Sequence, residues 1–176
     1  MCGRFVQKSP PELLRERFGT VNSVPNYPAR YNAAPTDDIA VVRFNPETEQ
    51  RSLDLLRWGL IPHWAKDPSI GNRLINARAE ALAEKPSFRD AFHRRRCLVP
   101  ADAFYEWRPE GSRKQPYAIA FRDGEPMALA GLWENWRDPE GNWVRTFTIV
   151  TTAANDLLQP IHDRMPVVIE PGDYSL

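Results

Sequence analysis

From Cys97 onward the chain alternates short apolar runs with turn-forming residues, and this rhythm restricts the fold more than any other feature. The runs Cys97-Leu98-Val99, Phe104-Tyr105-Glu106-Trp107, 117–121, 127–132 and 144–152 are each strand-sized, punctuated by Asp123-Gly124 and Glu140-Gly141-Asn142. Such a pattern builds a strand-rich meander. Earlier, residues 39–44 and 51–58 flank Asn45-Pro46-Glu47-Thr48, a hairpin signature. Helices are predicted around these strands. One begins with Ser9 as cap, Pro10 in the first turn and Glu12 completing a capping box, and ends at Gly19. Residues 76–84 favour a second, Pro86 breaks it, Ser87 opens a third with Phe88, Ala91 and Phe92 on one face, and 153–158 form a short helical patch. The expectation is an α+β fold: a curled, mainly antiparallel sheet or partial barrel of seven or so strands with flanking helices, because open edges must be hidden.

With 176 residues, 42% of them hydrophobic, the chain reads as one domain over 1–176 that needs no metal or crosslink to build its core. The formal net charge is zero and the pI about 6.8, so a polyanion would have to be met by a local basic patch. Of 23 basic residues 19 are arginine, whose planar fork suits phosphate and stacks on bases. Two cysteines, Cys2 and Cys97, argue against a disulfide framework and for a reducing compartment. No apolar run approaches the ~18 residues of a membrane span and none precedes Cys2 as a signal, so a soluble, cytoplasmic protein without membrane attachment is expected.

Chemistry enters with Met1-Cys2-Gly3-Arg4-Phe5. A small second residue favours removal of Met1, which would leave a chain beginning with a 1,2-aminothiol. Its amine titrates near ~7.7–8.0 and its thiol near ~8.5, so both are nucleophiles at neutral pH. The amine condenses with an aldehyde to an imine, and the adjacent sulfur closes a thiazolidine ring, a step that proximity favours. Cys2 taken alone reads first as a small hydrophobe on an ordinary N-terminus. Glu106 shares a strand face with Phe104: if that face is the core, burial raises its pKa and suits it to proton transfer; if it is the surface, Glu106 is an ordinary charge. His162, between Asp163 and a proline-flanked loop, can donate and accept a proton near working pH, or serve as a surface residue. Asn76 reads as a helix cap or as an amide that positions the terminal amine. Trp58, His63 and Trp64 offer stacking faces to unpaired bases or belong to the core. Arg94-Arg95-Arg96 ends a helix, where cations offset the dipole, and is given no binding role. No Cys or His pair has ligand spacing, no glycine loop cradles phosphate, and no nucleophile elbow is present, so no metal or cofactor is expected.

In order, Met1-Cys2-Gly3-Arg4-Phe5, Tyr31-Asn32-Ala33-Ala34-Pro35, Trp58-Gly59-Leu60-Ile61-Pro62, Asn76-Ala77-Arg78-Ala79-Glu80, Phe104-Tyr105-Glu106-Trp107 and Ile161-His162-Asp163-Arg164-Met165-Pro166 resemble the SRAP family, the SOS-response-associated peptidases or abasic-site-processing proteins. The resemblance, not the composition, implies a substrate: single-stranded DNA with an abasic site, trapped as a thiazolidine by Cys2. It implies that Asn76 orients Cys2, Glu106 handles protons, and His162 protonates the sugar oxygen. It also implies phosphate contacts from Arg4, Arg78 and Arg164, stacking or groove-shaping by Trp58 and Trp64, and a wedge at Pro35. Action as a monomer is expected. Relatives of this kind continue past residue 176 with a further helix and strand, which leads one to expect an uncovered sheet edge here. Two other activities stay open at this level: an N-terminal-cysteine peptidase or amidase acting on proteins, and a DNA-binding module without chemistry.

Overall fold

The computed structural model describes residues 2–23 and 25–174. Its centre is the predicted hairpin. β3 (Asp38–Asn45) and β4 (Gln50–Trp58) pair antiparallel from Asp38↔Arg57 to Asn45↔Gln50, and Asn45 Oδ1 accepts from the Glu47 N–H at 2.9 Å in the turn. Both faces of β3 are buried. Ile39 and Val41 enter the main core with Leu56, while Ala40 and Val42 pack under Leu14 and Phe18 of α1 (Pro11–Phe18). Each such side chain removed from water contributes about 1.5–3 kcal/mol.

β6 (Arg96–Ala101), β9 (Met127–Arg137) and β10 (Trp143–Ala153) complete the principal sheet. The order β10-β4-β3-β6-β9 closes on itself through the long β9–β10 pairing, a partial five-stranded barrel in which β4 meets β10 only at Arg57 and Trp58. The expected α+β fold with a partial barrel is what forms. A second sheet, ordered β2-β1-β7-β8, consists of β1 (Phe5–Gln7), β2 (Arg30–Ala33), β7 (Ala103–Glu110) and β8 (Arg113–Ile119). Buried Gln7 fastens the two sheets: its Nε2 donates to the carbonyls of Ala40 and Pro100, both at 2.9 Å, and its Oε1 accepts from the Ala40 N–H at 3.0 Å. Phe5 meets Trp58 with ring centroids 5.0 Å apart.

Three local expectations are corrected. Ser9 does not cap α1; Pro10 holds that position, because Asp102 accepts both the Ser9 hydroxyl and its N–H and so takes the oxygen the helix would have used. Gly19 does end the helix, at φ 62°, the left-handed conformation glycine adopts without penalty. Residues 76–84 are not a helix: Asn76–Arg78 is β5, parallel to β10 at Ile149↔Asn76 to Thr151↔Arg78, followed by one 3-10 turn at Ala79–Ala81. Along β10, β5 takes over where β4 stops at Phe147↔Trp58, so the backbone of β10 imposes the strand. The helical patch expected over 153–158 does not form: Ala153 ends β10 and residues 156–161 make turns, which lead to β11 (Arg164–Pro166) and β12 (Val168–Ile169). No helix among the described residues is long and apolar enough to cross a membrane.

Candidate active site

Strand pairing assembles the site. The register Phe5↔Phe104 and Val6↔Ala103, continued by the Tyr105 N–H donating to the Arg4 carbonyl at 2.9 Å, runs the start of the chain back along β7 toward Glu106. Cys2 is fully buried there. Asn76, at the head of β5, donates through Nδ2 to the Cys2 carbonyl at 3.1 Å and to that of Ile75 at 3.0 Å, while its Oδ1 is buried without a partner among the described residues. Glu106 lies on the core face of β7 with Phe104 and is 3% exposed. Glu106 and His162 line one cavity of about 310 Å³ with Trp107 and Lys114. Cys2, Asn76, Glu106 and His162 therefore converge from four remote stretches of sequence.

The electrostatics order the chemistry. Burial pushes the Cys2 thiol up to about 12, and the neighbouring Glu106 carboxylate adds to the rise. Sulfur thus enters any reaction as a thiol and needs a group to take its proton. At His162 two contacts make opposite demands on Nδ1: the Arg164 N–H reaches it at 3.0 Å and the Asp163 carboxylate stands at 3.0 Å. The backbone N–H can only donate, so Nδ1 accepts from it and Nε2 is the nitrogen left to donate.

The candidate DNA contacts fare unequally. Trp58 is a correction. It is fully buried against Phe5 and Phe147, with Nε1 donating to the Ile75 carbonyl at 2.9 Å, and presents no face to a ligand. Apolar surroundings and a satisfied indole N–H make it a core residue. Trp64, six residues on in the loop, is 50% exposed. Arg78 is exposed at the end of β5, and Arg4 reaches Asn32 Oδ1 at 3.1 Å. Pro35 leads a turn closed by the Asp37 N–H to the Ala34 carbonyl, in which Thr36 takes φ 77°, unusual for a β-branched residue; the Thr36 N–H to the Trp58 carbonyl, 2.9 Å, holds it. Arg164 is already engaged: its terminal nitrogens grip both oxygens of Glu80 at 2.8 and 3.0 Å, and Nη2 also donates to the Thr151 carbonyl. That grip pulls the Glu80 carboxyl down to about 2. A phosphate at Arg164 has to displace Glu80. The sequence reading missed Glu80 in this part, and also Asp102, which accepts from the Lys8 and Ser9 N–H groups at 2.7 and 3.0 Å and so fixes the strand that presents Cys2. Nothing local marks Asp102, since its partners lie more than 90 residues away. Removal of Met1, on which a free Cys2 amine depends, concerns a residue outside the described ones.

Abasic site processing protein YoqW of Bacillus subtilis (strain 168) is 47% identical over 172 residues, spanning 96% of this chain and 76% of that protein. Abasic site processing protein YedK of Escherichia coli (strain K12) is 36% identical over 182 residues, spanning 97% and 76%. The crystal structure of a protein from Bacteroides thetaiotaomicron superposes with a TM-score of 0.89 at 27% identity, covering 98% of this chain and 79% of that one. With residues 1–176 matching the model of the SOS response associated peptidase family, this chain belongs to SRAP.

Proposed function

We propose that this protein processes abasic sites, binding single-stranded DNA and trapping the lesion as a covalent thiazolidine through Cys2 once Met1 is gone. The observation that carries the reading is a run of neighbours: Asn76 holds the Cys2 carbonyl, the Glu106 carboxylate acts on the Cys2 thiol, and Glu106 shares a small cavity with His162. The names of the relatives supply the lesion; the side chains supply a route. His162 donates a proton to the sugar ring oxygen as the bond from that oxygen to C1′ breaks, and the C1′ hydroxyl gives up its proton to become the aldehyde carbonyl, so the step is proton-neutral overall. The Cys2 amine adds to the aldehyde carbon and water leaves, giving an imine. The Cys2 sulfur then bonds to that carbon while its proton passes by way of Glu106 to the nitrogen, so the net change is loss of one water. Because the thiol is held un-ionised, the amine attacks first and the sulfur second. Asn76 fixes the cysteine backbone so that both nucleophiles reach the same carbon. A missing base leaves nothing to unstack, which makes exposing the sugar cheap.

Intact-mass measurement after mixing with an abasic oligonucleotide tests this. The processed protein gains the mass of the oligonucleotide less one water, and Cys2→Ala gains none. An unshifted mass for protein shown to lack Met1 defeats the reading.

A further inference from the structure

A large cavity lies away from Cys2. About 560 Å³ in volume, it opens between the end of α2 (Arg89–Arg94), the far ends of β9 and β10, and the loop 59–67. His63, His93, Arg94, Arg95, Glu134 and Trp143 line it. Glu134, nearly fully buried, is paired with Arg95, whose Nη2 stands 2.8 Å from Oε2, and is approached by His63 Nδ1 at 3.3 Å from the same oxygen. The other acid on the wall, Asp90, faces Arg89 at 3.6 Å. Arg94 has no carboxylate partner among the described residues, and Trp143 is 64% exposed, its indole approached by Arg137 at 5.7 Å. A free guanidinium beside an exposed indole suits one chemistry: a phosphate with an aromatic base attached.

Position says which. β10 joins this cavity to the Cys2 site, with Trp143 at one end and Ile149–Thr151, flanked by Asn76 and Arg78, at the other. Six residues of strand span about 20 Å. The loop 59–67 tracks the same path. Gly59 is bound to Phe147, the Ile61 N–H to Thr146 Oγ1, and the Ala65 carbonyl to Trp136 Nε1, opposite Val144. Half-exposed Trp64 therefore stands between the two ends. We propose that this cavity is a second docking subsite, which takes a nucleotide of the same DNA strand about 20 Å from the lesion, its phosphate on Arg94 and its base on Trp143. This rests on the DNA reading above and adds a separate place of contact. The triple-arginine run is thereby divided: Arg94 and Arg95 face this cavity, whereas Arg96 borders an apolar groove on another side of β6.

Fluorescence anisotropy with two labelled abasic single strands tests it, one too short to leave the Cys2 site and one extending well past 20 Å on both sides. On the long strand Trp143→Ala weakens binding by about tenfold, Trp143→Phe recovers most of that, and Arg94→Ala lowers the slope of log K against log salt by about 0.7. The short strand shows neither effect. Wild-type affinity for the long strand in both variants overturns the subsite, as does an equal loss on short and long strands. Failure of the unaltered protein to bind either strand instead defeats the DNA reading, and the subsite with it.

Discussion

Two glutamates are equally hidden from water, Glu106 and Glu134, each 3% exposed, and their neighbours give them different work. Glu134 holds a guanidinium at 2.8 Å and accepts the Asn135 N–H at 3.0 Å through its other oxygen, so its charge is answered by fixed donors. It ties α2 to the barrel. Glu106 faces groups that gain and lose protons: the buried Cys2 thiol, whose titration it shifts upward, and His162 across a shared cavity. Burial alone therefore does not mark a carboxylate as chemical. What marks it is the titratability of what it faces.

Exchanging each acid for its amide tests that contrast. Glu106→Gln slows crosslinking by about 10²–10⁴-fold while abasic-DNA affinity stays close to that of the unaltered protein, because only the proton route is lost. His162→Ala slows the same step, and single-turnover gel assays read both. Wild-type rates in both variants would remove these side chains from the mechanism. Glu134→Gln acts on stability: about 2 kcal/mol in urea unfolding, below the 3–5 kcal/mol typical of a broken buried pair because Arg95 keeps access to water. If it slows crosslinking at saturating DNA as much as Glu106→Gln does, the contrast fails.

A last effect is on pH dependence and is confined to alkaline solution. A thiol raised from 9.0 to about 12 is protonated more readily in the folded state, so its contribution is fully present below pH 9 and declines as pH rises toward 12. Burial raises Cys97 in the same direction. Stability is expected to fall with alkalinity above pH 9, and Cys2→Ala to flatten the fall, in melting curves between pH 8 and 11. An unchanged slope would mean that the Cys2 thiol is not what titrates.

Much of the scaffold was legible because it is locally encoded. Asn45-Pro46 between two strand-sized runs specifies a hairpin, and Gly19 ends α1 through its own backbone freedom. The count of strands was not: twelve form among the described residues, and β1, β2, β5, β11 and β12 are two to four residues long, too short to display a period. Such segments are strands because a neighbour lends them hydrogen bonds. For Asn76 this decided everything, since a helix would have turned its amide elsewhere and β10 instead points it at the Cys2 carbonyl.

By itself the sequence determined which chemical groups this protein possesses: an aminothiol that processing can expose, an acid amid aromatics, a histidine beside an arginine, and enough alternating apolar surface to close a barrel. Only the tertiary structure decided which of them meet and which are spent on structure. It buried Trp58 and left Trp64 half in water, clasped Arg164 to Glu80, and gave one of two hidden glutamates a guanidinium and the other a thiol. The physical reason is range: turns and caps are settled within a few residues, whereas desolvation and charge pairing depend on atoms that chain closure brings together from 30 to more than 100 positions away.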